Sequence, residues 1–596
     1  MKRLPVGLSS NDPSTIGPPS RPQSEGDLTT QPESPSRRSF FSKLGGAAAT
    51  ALAVGGITVF EPAIAGRAAE ARADDIGPLT DAARQQAAQT LRTNLANNWG
   101  SQPLVGEPTN GDETLYADLA ASYSKCLPHD NYGRVNLAAY SAYINALTTG
   151  SPSAFQAIPL GGGRKLTNPQ AGLAYTLEGN DGHNCSITQN NVVRPVNPAP
   201  VMAGNQTAAE MVEMYWAAQL RDVAFDSYAS SAVAIQAAAE INGLSGYAGP
   251  RNGGGQVTTN ELFRGSFAGE LVGPYLSQFL LIPTFCGAQP ISQRFQTFLP
   301  SSAHLVNDFM IDFADWLSIQ NGYQPSNAVA MDPTYRYLRN GRDLSAWTHV
   351  DALYEAYFTA YLVLQTIGCP ANPGLYSSAT EATYGTLGSP DAAATIGDVA
   401  QKALEAVWFQ KWFVHRRARP EVAGALAHLI LTGQGANTDV TLNSDLLNSE
   451  AIAKTHSKYG SYLLPQAFPE GSPTHPSYPT GHGAVGGACI TVLKFFFNTN
   501  FVIPKPVETN NGGTTLSPYT GSPLTVQGEL NKLAHNITFA HGIHPGIHYR
   551  SDSDESLLLG EAVALSILQD KAATYNEPFS VTITKFDGTT VTISNP

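Results

Sequence analysis

The sequence predicts an all-α protein. Three observations carry that expectation. Long Ala-rich stretches have helical spacing and few breakers. The segments between them are rich in Gly, Pro and Asn, as connecting loops are. Strand patterning is sparse, and clear only at the C-terminal end.

In chain order, residues 1–36 are rich in Pro, Ser, Thr, Gly and Gln and have little to bury, which predicts disorder. Ser36-Arg37-Arg38-Ser39-Phe40-Phe41 follows, then Lys43 and a mild apolar run, Leu44 to Phe60. Paired arginines, an aromatic and a moderately hydrophobic segment resemble a twin-arginine export signal. Ala63-Ile64-Ala65 and Ala71-Arg72-Ala73 are candidate cleavage sites. Such export carries folded proteins, implies a prokaryotic or plastid-type source, and places the mature chain in a periplasmic or extracellular space. Asp81 to Asn97 has helical spacing, with Thr80 as N-cap. Thr207 to Asn242 reads as one or two helices, and Leu344 to Ile367 and Ala392 to Phe413 read similarly. The Gly/Pro-rich loop from Cys369 to Pro390 suggests a boundary. It would separate an N-terminal scaffold, 74–375, from a catalytic half, 376–596, after a leader of 1–73. Phe579 to Thr584 and Thr590 to Ser594 alternate around Asp587-Gly588 and predict a terminal hairpin.

Bulk properties narrow the function. The 596 residues suffice for two domains or one large helical body, and the 42% apolar content is that of a globular protein. A net charge of −13 argues against a nucleic-acid partner, but not against a local basic pocket. Beyond the leader, no stretch reaches the roughly 20 apolar residues a membrane span needs. None of the five cysteines (126, 185, 286, 369, 489) forms a CxxC pair, so zinc-ribbon and thioredoxin chemistry lack support. In an oxidising compartment the odd number leaves one thiol over; buried free cysteines are the other reading.

Nine of 13 histidines lie between His415 and His548. Three blocks there carry chemistry. In Lys411-Trp-Phe-Val-His415-Arg416-Arg417-Ala-Arg419-Pro420, Lys411 and Arg419 would be offset by about 80° on a helix and reach one point. A compact ammonium and a planar guanidinium suit a tetrahedral oxyanion, although a solvated basic helix face is the plainer reading. His475-Pro-Ser-Tyr-Pro479-Thr480-Gly481-His482-Gly483 precedes an apolar run, as a loop opening a helix does. Exposed amides there bind anions, Thr480 donates a hydroxyl, and His482 is placed as acid or base. In His541-Gly542-Ile-His544-Pro-Gly-Ile-His548-Tyr-Arg550-Ser-Asp552, a carboxylate four residues on can orient the His548 imidazole.

Lys-x7-Arg-Pro, then Pro-Thr-Gly-His, then His-x3-Asp resembles the shared signature of vanadium haloperoxidases and related acid phosphatases. Arg221-Asp222, Phe263-Arg264-Gly265, Gly273-Pro-Tyr-Leu-Ser-Gln-Phe279, Arg339-Asn-Gly-Arg-Asp343 with His349-Val-Asp351, and Phe468-Pro-Glu-Gly-Ser-Pro-Thr-His475 are similar to red-algal type vanadium bromoperoxidases. The likeness runs from about residue 80 to 596. It implies that family's two-bundle fold, a vanadate cofactor and a large homo-oligomer, such as a dodecamer. It also implies that His548 ligates vanadium while Lys411, Arg419, Thr480 and the Gly481 amide hold its oxygens. His482 would be the acid–base residue, and Trp408 and His475 would line a halide pocket favouring bromide and iodide. The implied reaction oxidises halide with hydrogen peroxide to hypohalous acid, which halogenates small organic substrates.

One family position departs. The arginine six residues before the ligand histidine is Gly542 here. A lost charge-assisted hydrogen bond costs about 1.5–3 kcal/mol of oxyanion binding, or about 10- to 100-fold. His541, His544, Arg416 and Arg417 are candidate replacements, and a loop shifted by one or two residues is another. Three alternatives stand beside the main expectation. His541, His544 and His548 on one helical face would bind zinc, which Pro545 and Gly546 disfavour. An acid phosphatase would use His548 as nucleophile. A non-catalytic oxyanion-binding oligomer would have kept only the scaffold.

Overall fold

A computed structural model of the chain describes residues 77–595 except 105, 190, 191 and 303, together with the backbone of 52–54 and 57–59. The chain divides into Met1–Gln86 and Ala87–Pro596. In the first unit, Leu52–Val54 and Ile57–Val59 form a short antiparallel pair within the apolar run. The polar leader, the twin-arginine motif and both cleavage candidates lie outside the described residues.

Helix α1, Asp81–Gly100, starts where expected and runs three residues further. Thr80 caps it, its hydroxyl accepting from Ala83 N at 3.3 Å. The Thr207–Asn242 stretch is two helices, α2 (Asn205–Leu220) and α3 (Ala232–Gly243). The intervening turn is set by tertiary ion pairs: Arg221 is buried against Asp308, and Asp222 pairs with Arg342. Residues 344–367 likewise divide into α4 (Gly341–Thr348) and α5 (Glu355–Thr366), and the break carries His349 and Asp351. Further on lie α6 (Ser389–Phe409), α7 (Pro420–Leu431), α8 (Gly481–Phe496), α9 (Val526–Ala540) and α10 (Arg550–Ala572).

Two of these helices place the site. All 16 residues of α8 are buried. Its backbone touches that of α10: a Cβ on Gly487 would lie 2.0 Å from Leu557 O, and one on Gly560 1.9 Å from Ala484 O. Glycine at both positions lets the middles of α8 and α10 pack in backbone contact, and at their starts Thr480 N–H donates to Asp552 O (3.0 Å). The main apolar core of the large unit includes Trp216, Tyr357, Trp412, Tyr478 and Tyr549, with smaller clusters around Trp316 and around Phe468.

The terminal hairpin pairs Phe579–Thr584 with Thr590–Asn595 around Gly588, whose φ is +81°. The described residues hold six two-stranded sheets in all, more than the sequence suggested. Most are three-residue strands; the pairing of Phe295–Phe298 with Met331–Arg336 joins segments over 30 residues apart. Too short to show alternation, they form no layer, and the fold remains all-α. Cys185, Cys286, Cys369 and Cys489 carry free thiols. Among the described residues, no helix is long and apolar enough to cross a membrane.

A triad around buried His535 makes stability depend on pH. His535 lies between Glu270 Oε1 (2.6 Å) and Asp554 Oδ1 (3.0 Å). Burial depresses its imidazole, but the two carboxylates together outweigh burial and push it up to about 9. The imidazolium therefore stabilises the fold fully below the unfolded value near 6.5, and that contribution disappears as pH rises through about 9. We expect a loss of order 1–3 kcal/mol across this window. Thermal midpoints of wild type and His535→Leu should converge at the alkaline end; parallel profiles would disprove the contribution.

Candidate functional site

Lys411 and Arg419 do not share a helix, contrary to the helical offset expected from their spacing. Helix α6 gives way to a π-helical turn, Gln410–His415, and Arg416 adopts a left-handed conformation with φ +44°. Arg419 then caps α7, with Pro420 in its first turn. The reversal brings both cations onto one loop. Lys411 Nζ donates to Pro476 O (2.9 Å) and Ser477 O (2.8 Å), and Arg419 Nε to His475 O (2.9 Å). Both are buried, and neither has a carboxylate at ion-pairing distance among the described residues. Burial, then Arg419, drives the Lys411 ammonium well below its ordinary value; burial brings Arg419 down to about 10. An unpaired buried charge costs several kcal/mol, on the order of 3–5, so this pair calls for an anion.

The loop supplies further donors. Thr480 caps α8 through its backbone, and its N–H donates to Asp552 O at 3.0 Å. Its hydroxyl makes no capping bond and is buried without a partner. The first backbone bond of α8 runs from Ala484 N to Thr480 O (3.2 Å). The amides of Gly481 to Gly483 are therefore free to face an anion. Trp408 walls this end: a Cβ on Gly481 would meet its ring at 3.2 Å, and its ring centroid lies 4.7 Å from that of His475. The donor set fits a tetrahedral oxyanion: two uncompensated cations, an orphaned hydroxyl and a helix N-terminus.

His548 faces the same point. Its Nδ1 lies 2.9 Å from Asp552 Oδ2. A carboxylate only accepts, so the proton is assigned to Nδ1 and the lone pair to Nε2. Consistently, Arg419 Nη1 donates to Nε2 at 2.8 Å. Burial, then Arg419 and Lys411, holds the imidazole far below its usual titration range. Asp552 is fixed by Ser477 Oγ (2.5 Å), Tyr549 N (3.2 Å) and Arg417 Nη1 (2.8 Å). Arg417 in turn stacks over Tyr549 at 3.7 Å and faces Glu210 of α2 at 3.6 Å. Burial pushes Glu210 up to about 7.

His482 bonds through Nε2 to Asp351 Oδ2 (3.0 Å) and Oδ1 (3.1 Å). Asp351, 131 residues away, enters the sequence reading only within a matching segment, without a role; that segment was its one signal. Glu210 and its link through Arg417 had no signal. On the other face of His482 lies His541, centroids 3.9 Å apart and nearly parallel, and His541 is 6.4 Å from His548.

Of the four candidates for the cation missing at Gly542, three are engaged elsewhere. His544 turns away, its Nε2 2.9 Å from Tyr275 Oη, so the three imidazoles of the zinc alternative do not converge. Arg416 bonds Phe413 O (3.0 Å), and Arg417 holds Asp552. His541 alone reaches the site, where burial, then His482 and Arg419, keeps its imidazole well below the usual range. Gly542 itself has a structural role. Its carbonyl accepts from the amides of Gly546, Ile547 and His548, and a Cβ there would lie 2.6 Å from Thr538 O. Gly542→Ala should therefore lose about 1–2 kcal/mol of stability. Gly542→Arg carries the same steric cost plus a charge, so it should bind phosphate more tightly than Gly542→Ala. Melting curves and calorimetric titration test the two halves; an unchanged melt or equal affinities refute the respective one.

The chain is similar to several known proteins. Residues 393–577 match the model of the VCPO second helical-bundle domain. The chain is 33% identical to the vanadium-dependent bromoperoxidase of Corallina pilulifera, over 84% of this chain and 96% of that one. It is 34% identical to that of Ascophyllum nodosum, over 80% and 87% respectively. A solved homohexameric vanadate-dependent bromoperoxidase from Ascophyllum nodosum superposes with a TM-score of 0.81 at 27% identity, covering 89% of this chain and 94% of that one. With about a third of its residues shared over at least four fifths of its length, this chain belongs to the vanadium-dependent bromoperoxidase family.

Proposed function

We propose that the protein is a vanadate-dependent haloperoxidase that oxidises bromide and iodide with hydrogen peroxide, releasing hypohalous acid that halogenates small organic substrates. One observation carries the reading: Lys411 and Arg419, buried without a carboxylate, converge with the orphaned Thr480 hydroxyl on a histidine whose Nε2 carries a lone pair. Lys411, Arg419, Thr480 and the Gly481 amide would hold the vanadate oxygens, and His548 Nε2 would be its protein ligand. When bound, vanadate supplies a Lewis-acidic centre that activates peroxide towards halide without changing oxidation state. His482 accepts the proton that peroxide loses, held in place by Asp351 and the His541 ring. Asp552 keeps His548 in the tautomer that presents Nε2. Lys411 stabilises developing negative charge where water is excluded. Trp408 and His475 form the halide wall.

Residues 74–375 act as scaffold and 376–596 as the catalytic half, and a twin-arginine leader within 1–73 exports the folded chain. The assembly is a homo-oligomer; the solved relative is a homohexamer, whereas the sequence resemblance implied a dodecamer. The deciding assay follows halogenation of a phenol reporter with peroxide and bromide, with and without vanadate, beside phosphate-ester hydrolysis by the vanadate-free protein. Vanadate-dependent halogenation is expected. Ester turnover without it identifies a phosphatase, and inactivity in both with tight phosphate binding identifies a non-catalytic binder.

A further inference from the structure

Six arginines are buried among the described residues: Arg221, Arg264, Arg342, Arg417, Arg419 and Arg550. Four face a carboxylate at ion-pairing distance: Arg221 and Arg342 with Asp308, Arg417 with Asp552, and Arg550 with Glu213. Two do not. One is Arg419, in the oxyanion cradle. The other is Arg264, which lines a separate cavity of about 600 Å³ that shares no residue with the cradle.

Arg264 donates from Nη1 to Glu270 O (2.8 Å) and from Nη2 to Gly273 O (3.0 Å). These bonds use two of its five donors. The carboxylates nearby are committed: Glu270 to His535, Glu529 to Lys532, and Glu261 to Thr258 and Asn260. A second guanidinium in the lining, Arg339, is paired with Asp343, and aromatic and aliphatic side chains flank Arg264. Phe225 and Tyr275 are stacked with centroids 3.7 Å apart, and Leu276 and Leu281 are buried beside them. The exposed carboxylates are Asp226 and Glu508, at the mouth. A cation inside and carboxylates outside select against multiply charged anions. The volume is that of an organic ligand, far more than one inorganic ion fills.

We propose that this cavity is a second binding site, for a small organic monoanion: an aromatic carboxylate with its carboxylate on Arg264 and its ring against Phe225 and Tyr275. Glu508 to Tyr519 of the proposed catalytic half form part of its wall, and Tyr275 Oη also bonds His544, in the turn that carries His548.

Calorimetric titration of the full-length protein with 4-hydroxybenzoate tests this, with and without saturating phosphate to fill the cradle. One molecule should bind per chain, phosphate should not displace it, and Arg264→Gln should weaken it by about tenfold or more. Ala229→Trp fills the exposed rim of the cavity while leaving Arg264 in place. It should also abolish binding, and it decides the matter alone where Arg264→Gln fails to fold. No binding at millimolar ligand overturns the proposal. So does displacement by phosphate, which would put the ligand in the cradle, or binding that survives Ala229→Trp.

Discussion

His548→Ala is expected to abolish vanadate binding while leaving phosphate binding largely in place. Vanadate would be held by a bond to His548 Nε2 as well as by charge. Phosphate would rely on the cations, the Thr480 hydroxyl and the α8 amides alone. The fold should tolerate the change, because Asp552 keeps Arg417, Ser477 Oγ and the Tyr549 amide as partners. Loss of the ligand bond is expected to cost more than about 100-fold, beyond any single charge-assisted hydrogen bond. Titration of the purified variant with each anion reads the difference. Vanadate affinity within a few-fold of wild type would remove His548 from the coordination sphere; equal losses of both anions would assign it a purely electrostatic role.

Lys411→Met should act on both anions alike, lowering affinity by about 100-fold, the loss of one charged hydrogen bond to a highly charged ligand. The ligand-free variant should be at least as stable as ligand-free wild type. The substitution removes an unpaired buried ammonium and leaves a side chain of similar length. The carbonyls of Pro476 and Ser477 lose a donor, which offsets part of the gain. Stability and binding thus move in opposite senses, as expected where a buried charge is retained for function. A variant that melts well below wild type without ligand would show that Lys411 is there for the fold. Unchanged phosphate affinity would show that it does not face the anion.

Much was legible in advance because local rules were strong. Thr80 capped α1 as its position suggested, the Asp587-Gly588 turn closed the terminal hairpin, and the run after Gly481 formed α8. The boundaries inside 207–242 and 344–367 were not legible. The first depends on where Arg221 meets Asp308 and Asp222 meets Arg342, and helical periodicity is blind to such distant pairs. The short strands were missed for a similar reason, since a three-residue strand carries no pattern of its own.

By itself the sequence determined the all-α class, the family, and the residues proposed to hold an oxyanion: Lys411, Arg419, Thr480, Gly481, His482 and His548. Those signals are local, carried by spacing and by the capping chemistry of helix ends. Only the tertiary structure decided how they converge. A π-helical turn, not a shared helix face, aims Lys411 and Arg419; Asp351 holds His482; Glu210 and Arg417 back Asp552; and His541, not Arg416, Arg417 or His544, lies opposite the missing arginine. The pairs of His482 with Asp351, of Arg417 with Asp552 and of Arg417 with Glu210 each join segments far apart in the chain. Burial then set the charge states, and burial is a property of the packed molecule that no single stretch of sequence carries.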